Sequence, residues 1–155
     1  MLLENLARLR RYAHVLNGEG ADDLVQDTLE LAWRNWKQWR PGSDLRPWLF
    51  SIMHNRHVDV ARREKWRGEL SDDEWGRLAV PPEQERALSI RDLSRSLSRL
   101  PVEQREVLLL VVVEEMSYQD AAQALGLPVG TVMSRLCRGR EHLRQLMEEY
   151  QEWVA

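Results

Sequence analysis

Thr131, Ser134, Arg135 and Arg138 stand at helical spacing inside GLPVGTVMSRLCRGR, residues 126–140, just behind a glycine and a proline. A guanidinium can grip guanine bidentately or neutralise a phosphate, and a Ser or Thr hydroxyl can contact either. The chemistry open to such a set is recognition of nucleic acid rather than bond making. At about 100° per residue, Val129, Val132, Leu136, Leu143 and Leu146 form an inward stripe. Ser134 and Arg138 point the opposite way, with Thr131 and Arg135 on one flank and Met133 and Cys137 on the other. Between Pro128 and Gln145 four arginines stand against Glu141, a local sum of +3.

No nucleophile–base set, phosphate-cradling glycine loop or metal cluster is legible, which argues against an enzyme and predicts no cofactor. His54 and His57 are spaced to share a helix face, but no Cys or carboxylate completes a metal set, so no metal is expected. Cys137 is the single cysteine, which excludes an internal disulfide framework, fits a reducing cytoplasm and reads as a small filler beside the core.

The elements that position the arginine face follow from the residues before it. Ser117 and Asp120 resemble a capping box with Asp in place of Glu, opening a helix YQDAAQAL. Ala121-Ala122 lets another helix cross closely, and Gly126 suits the left-handed position that ends the helix. The pattern predicts a helix-turn-helix; a helical hairpin with a merely solvated arginine face fits the same residues. Upstream, Leu93, Leu97 and Leu100 share a stripe, Pro101 suits the first turn of the next helix, and VLLLVVV predicts a helix to Glu115 buried on most sides.

The first half is also helical. ADDLVQDTLELAWRNWKQW, residues 21–39, sorts Leu24, Val25, Thr28, Leu31, Ala32, Trp36 and Trp39 onto one face. Asp23, Gln26, Asp27, Glu30, Arg34 and Lys37 fall on the other. Trp33, Trp36 and Trp39 as a group, and Trp48, read as core. Pro41-Gly42 ends that helix before RPWLFSIMHNRHVDVARREKWR, which carries a local sum of +4. Between the halves lies an acidic stretch with Glu69, Asp72, Asp73, Glu74, Glu83, Glu85 and Pro81-Pro82, predicted to be a flexible linker. The expected organisation is all-α: a domain at 1–66, a linker at 67–86 and a helix-turn-helix domain at 87–155. The whole chain of 155 residues carries a net charge of −3, which, beside two basic segments, suggests a second, protein-facing task. No stretch approaches a membrane span, so a cytoplasmic protein with no membrane insertion is expected.

Taken in order, ADDLVQDTLELAWRNW, RPGSDLRPWLFSIMHNRHVDVARRE and LPVEQREVLLLVVVEEMSYQDAAQALGLPVGTVMSRLCRGREHLRQL resemble the signatures of extracytoplasmic-function (ECF) sigma factors of the sigma-70 family. The resemblance spans both halves. It implies two helical domains, region 2 and region 4, that bind core RNA polymerase and direct it to promoter DNA in a bacterial cell. Carried over by position, Asp23, Gln26, Asp27, Glu30 and Arg34 resemble the region 2 surface that docks on polymerase. The loop Gly42-Ser43-Asp44-Leu45 and the following helix resemble the −10 reader, with Ser43, Asp44, Asn55, Arg56, Asp59, Arg62 and Arg63 as strand-facing candidates. Thr131, Ser134, Arg135 and Arg138, helped by Arg140, would read the −35 element. Met133 departs from the pattern, standing where many relatives carry a basic residue. The resemblance also implies an anti-sigma factor. Two rival readings fit parts of the chain: a dimeric helix-turn-helix regulator with an N-terminal sensing domain, and a helical adaptor that binds only proteins.

Overall fold

The computed structural model describes residues 2–67 and 84–154, with no strand among them. Seven α-helices run in order: α1 (Leu2–Asn17), α2 (Ala21–Arg34), α3 (Leu45–Arg67), α4 (Gln84–Arg99), α5 (Val102–Leu108), α6 (Tyr118–Leu125) and α7 (Val129–Val154). Most of the predicted linker lies outside the described residues. Its two ends are helical, since α3 runs through Arg67 and α4 starts at Gln84.

Helices α1, α2 and α3 close around Leu9, Tyr12, Leu16, Leu24, Val25, Leu49, Phe50 and Met53, all buried. Thr28 is buried on the same stripe of α2, its hydroxyl satisfied by donating to the Leu24 carbonyl at 2.7 Å. That helix ends earlier than its apolar spacing predicts. Asn35 sends both its backbone N–H and its side-chain amide to the Leu31 carbonyl, at 3.0 and 2.9 Å. The first is the last bond of the helical ladder and the second caps the same carbonyl from the side chain, after which the chain continues as a 3₁₀ turn at Trp36–Gln38. The tryptophan prediction is corrected accordingly: Trp33 is 76% exposed and Trp36 37%, leaving Trp39 partly buried against the core. Trp48 is also partly buried, its ring edge-on to Trp36 at 6.1 Å.

Helices α4 to α7 build a second lobe around Leu97, Leu100, Val107, Leu109, Leu110, Leu125, Val132 and Leu136. Leu93 is not part of it, being 41% exposed. Pro101 stands one position outside α5, as its cap residue. The apolar run then departs from expectation. At Leu109–Val113 the helix widens to π geometry, with the Glu114 N–H reaching the Leu109 carbonyl at 2.9 Å. The inserted residue rotates everything after it by about 100° relative to a continuous α-helix. Val112 and Val113 therefore face outward, and Glu114 turns inward to near-complete burial. The next residue, Glu115, takes a left-handed φ of 54°, uncommon for a side chain of its kind.

The two lobes pack on each other. Helix α3 lies against α6, and α1 touches α4 and α5.

Candidate nucleic-acid interface

The helix-turn-helix is built by local chemistry. Ser117 caps α6 by accepting the Asp120 N–H at 3.0 Å, and Ala121, Ala122 and Ala124 are buried where α6 meets its neighbours. Gly126 takes φ 63°, and the Leu127 N–H closes the turn on the Ala122 carbonyl at 3.0 Å. Val132, Leu136 and Leu146 hold α7 down, while Val129, predicted on the same stripe, is 37% exposed at the helix start. Further along, α7 passes so close to α5 that a Cβ on Gly139 would sit 3.2 Å from Leu108 and 3.3 Å from Gln104.

Opposite that buried stripe, Ser134 and Arg138 are exposed, with Thr131 half-buried on one flank and Arg140 exposed on the other. The Ser134 hydroxyl donates to the Thr131 carbonyl at 3.1 Å. Arg135 is held back, its guanidinium 4.0 Å from Glu103. Cys137 is exposed, which overturns its reading as a core filler. Met133, half exposed beside it, gives the arginine face an apolar flank.

The strand-facing candidates divide into two groups. Asn55, Asp59, Arg62 and Arg63 lie exposed on α3. The other three are engaged within the first lobe. Ser43 donates to the Arg40 carbonyl at 2.6 Å. Asp44 opens α3 by accepting the Arg46 backbone N–H at 3.0 Å and also takes the Arg46 guanidinium at 2.8 Å. That side-chain hydrogen bond from Arg46 is the main reason the Asp44 carboxyl is held below the usual carboxylate range. Arg56 donates to Asp27 at 2.7 Å, tying a strand-facing candidate to the polar stripe of α2. Asp23, Gln26, Glu30 and Arg34 on that stripe are exposed, with Arg34 on Glu30 at 2.6 Å. Beside Gln26 and Glu30 lies an apolar groove of about 490 Å³ lined by Leu2, Leu3, Leu6, Leu29 and Trp33.

A second network was not legible in the sequence. Glu114, 1% exposed, receives Arg11 at 2.8 Å and Arg8 at 3.2 Å, and its backbone carbonyl accepts Arg46 at 2.9 Å. Glu106, also buried, lies 2.8 Å from His54. Neighbouring His57 has its pKa pushed down by burial, against the pull of Glu106. These partners are 52 to 106 residues apart, and no spacing rule links them. Among the described residues no group of three or more His, Cys, Asp or Glu could hold a metal ion. No helix there is long and apolar enough to cross a membrane.

A helix-turn-helix lobe and a three-helix lobe with a separate acidic face define a sigma-70-type arrangement, and comparison with known proteins gives the same class. The chain matches the family described as Sigma-70, region 4, over residues 90–143, and that described as Sigma2 domain of PhyR over residues 2–54. It is 38% identical over 149 residues to the ECF RNA polymerase sigma factor EcfG of Rhodopseudomonas palustris, covering 94% of this chain and 82% of that protein. To the ECF sigma factor SigM of Mycobacterium tuberculosis it is 34% identical, over 94% and 71%. Among solved structures it resembles the sigma factor RpoE of Bartonella quintana, in complex with the anti-sigma factor NepR. There the TM-score is 0.83 and the identity 34%, over 95% of this chain and 94% of that one. CnrH in complex with the cytosolic domain of CnrY gives a TM-score of 0.69 at 27% identity, over 96% and 85%. The chain therefore belongs to the ECF RNA polymerase sigma factors, a family of non-catalytic transcription initiation factors.

Proposed function

We propose that this chain binds core RNA polymerase in the cytoplasm and directs it to promoters by reading −35 duplex and opened −10 DNA. The observation that carries the reading is the exposed Ser134 and Arg138 face of α7, flanked by Arg140 and mounted on a capped helix-turn-helix in the same chain as a distinct polar face on α2. Residues 1–66 act as region 2, 67–86 as the connection, and 87–155 as region 4. Thr131, Ser134, Arg135, Arg138 and Arg140 contact the −35 element; Arg135 leaves Glu103 to do so.

Asn55, Asp59, Arg62 and Arg63 face the opened −10 strand, and the loop at Ser43 and Asp44 lies at its edge. A base that has left the stack can be held there by stacking and hydrogen bonding. Asp23, Gln26, Asp27, Glu30 and Arg34 dock on polymerase, and the adjoining groove at Leu3, Leu29 and Trp33 gives that face an apolar component. Separate acidic and basic faces let one chain of net charge −3 hold a protein and DNA at once. An anti-sigma factor is the expected inhibitor, since the two solved relatives above are each held in complex with another protein.

Run-off transcription with purified core polymerase, with and without this chain, on a pool of genomic promoter fragments tests the role. New transcripts sharing paired −35 and −10 elements are expected. Absence of transcripts together with failure to co-elute with core would refute it.

A further inference from the structure

The contact between the lobes conflicts with the task just proposed. By their numbering the −35 and −10 elements are centred about 25 base pairs apart, about 85 Å of duplex at 3.4 Å per pair. Here α3 packs on α6, and α6 packs on α7. Packed helices lie about 8–10 Å apart, so the start of α7 is about 20 Å from α3. Bending of the duplex would have to remove most of an 85 Å separation for both elements to be held in this arrangement. The lobes must part before both are read.

What holds them together is an unusual set of groups. Glu114 is a carboxylate brought almost fully out of water, in the second lobe, and its charge is met by Arg8 and Arg11 from the first. The same residue's carbonyl takes Arg46, whose guanidinium also holds Asp44 at the start of the −10 reading helix. The π-helical widening at Leu109–Val113 is what turns this side chain inward, and the left-handed Glu115 ends the helix directly after it. A backbone irregularity is thus spent on aiming one carboxylate at the other lobe. Glu106 and His54 repeat the arrangement between α5 and α3.

We propose that Glu114, clasped by Arg8, Arg11 and Arg46, is a latch that keeps the free chain in a self-closed state unable to engage both promoter elements. The proposal rests on the promoter-reading role for its meaning, but the closure itself is testable without DNA. When a binding-competent state is only a fraction of the population, apparent affinity falls by that fraction, so releasing the latch strengthens binding by as much as the open fraction rises. The two sides of the latch are not equivalent. Removing the arginines leaves a buried carboxylate short of partners, whereas neutralising Glu114 leaves a buried amide and two arginines that are already half in water. Arg8→Ala/Arg11→Ala therefore opens the chain more than Glu114→Gln does.

The test is small-angle scattering of the full chain, with far-UV circular dichroism as a check on helicity. Wild type is expected at a radius of gyration near 15 Å, the value for a compact chain of this length. The double arginine variant is expected to be measurably larger with its helicity kept, Glu114→Gln intermediate, and Arg8→Lys/Arg11→Lys compact. The open population should rise about tenfold or more in the double variant. An expanded wild type, or a double variant as compact as wild type, would overturn the latch. Loss of helicity in the double variant would overturn it too, since the arginines would then belong to folding. Run-off transcription read in parallel keeps the two ideas apart. If no variant supports transcription the initiation role fails, while scattering still decides the closure.

Discussion

Arg105 offers the sharpest test of how the second lobe is held together. Its side chain is 3% exposed and donates to the carbonyls of Leu97, Ser98 and Leu100, each at 2.8 Å. Those carbonyls lie at and just beyond the C-terminal end of α4, where helices leave acceptors without intrahelical donors. Burial pushes the guanidinium's pKa down, opposed by the Glu106 carboxylate. In Arg105→Met the aliphatic stem is kept and the donors are lost. The Leu97 carbonyl still receives the Leu100 N–H at 3.2 Å, so the Ser98 and Leu100 carbonyls lose their short bond from Arg105, and the longer contacts of the guanidinium to the Val15 and Leu16 carbonyls of α1, each at 3.4 Å, are lost as well. Each buried acceptor left without a partner costs about 1–3 kcal/mol, which gives about 3 kcal/mol for the pair. For a chain of this size that lowers Tm by about 10 °C, at about 2–4 °C per kcal/mol. In urea, with a slope of about 2 kcal/mol/M, the midpoint moves down by about 1.5 M. Urea unfolding followed by far-UV circular dichroism measures it. A loss below about 1 kcal/mol with an unchanged slope would show that the guanidinium is not what terminates α4.

Three further outcomes follow from the same geometry. Gly126→Ala is expected to cost about 1–2 kcal/mol by thermal melting; at φ 63° an added Cβ meets no atom within 4 Å, so the cost is backbone strain alone, and a stability equal to wild type would contradict the left-handed turn. Arg138→Ala is expected to weaken specific promoter binding by about 1–3 kcal/mol if it reads a base and nearly uniformly across sequences if it touches phosphate; holoenzyme binding to matched and scrambled −35 elements decides, and no loss on either would remove Arg138 from the interface. Asp44, whose folded pKa is lowered chiefly by Arg46, contributes stability that is present above the ordinary carboxylate range and lost as pH falls through its folded value. Asp44→Asn should therefore flatten part of the acid limb of a stability–pH profile while leaving its alkaline limb alone, and a change confined to the alkaline limb would refute the pairing.

Much of this molecule is local and hence readable from the chain. The cap at Ser117, the left-handed Gly126 and the inward residues Val132, Leu136 and Leu146 each depend on neighbours within a few positions. The all-α class follows from the same short-range periodicity. So does the arginine face of α7, because an inward stripe fixes the outward one. Where the sequence misled, a local signal was outvoted. Helix α2 stopped at Asn35 before Trp36 and Trp39 could join its stripe, and Trp33 came out exposed. Seven apolar residues in a row read as buried, but the π widening at Leu109 turned Val112 and Val113 outward.

The mutual placement of the lobes was beyond any periodic pattern. Arg8 and Glu114 are 106 residues apart and Arg46 and Glu114 are 68, and in sequence each is one more charged residue in a chain that is 30% charged. Charges at such separations become partners only when packing removes water from around them, and it is the apolar seating of α3 on α6 and α1 on α5 that does so here. The sequence by itself determined the all-α class, the capped turn and the outward face of α7, since those depend on contacts within one or two helical turns. Which charges are buried, and therefore which hold the two lobes closed, was decided by tertiary structure alone.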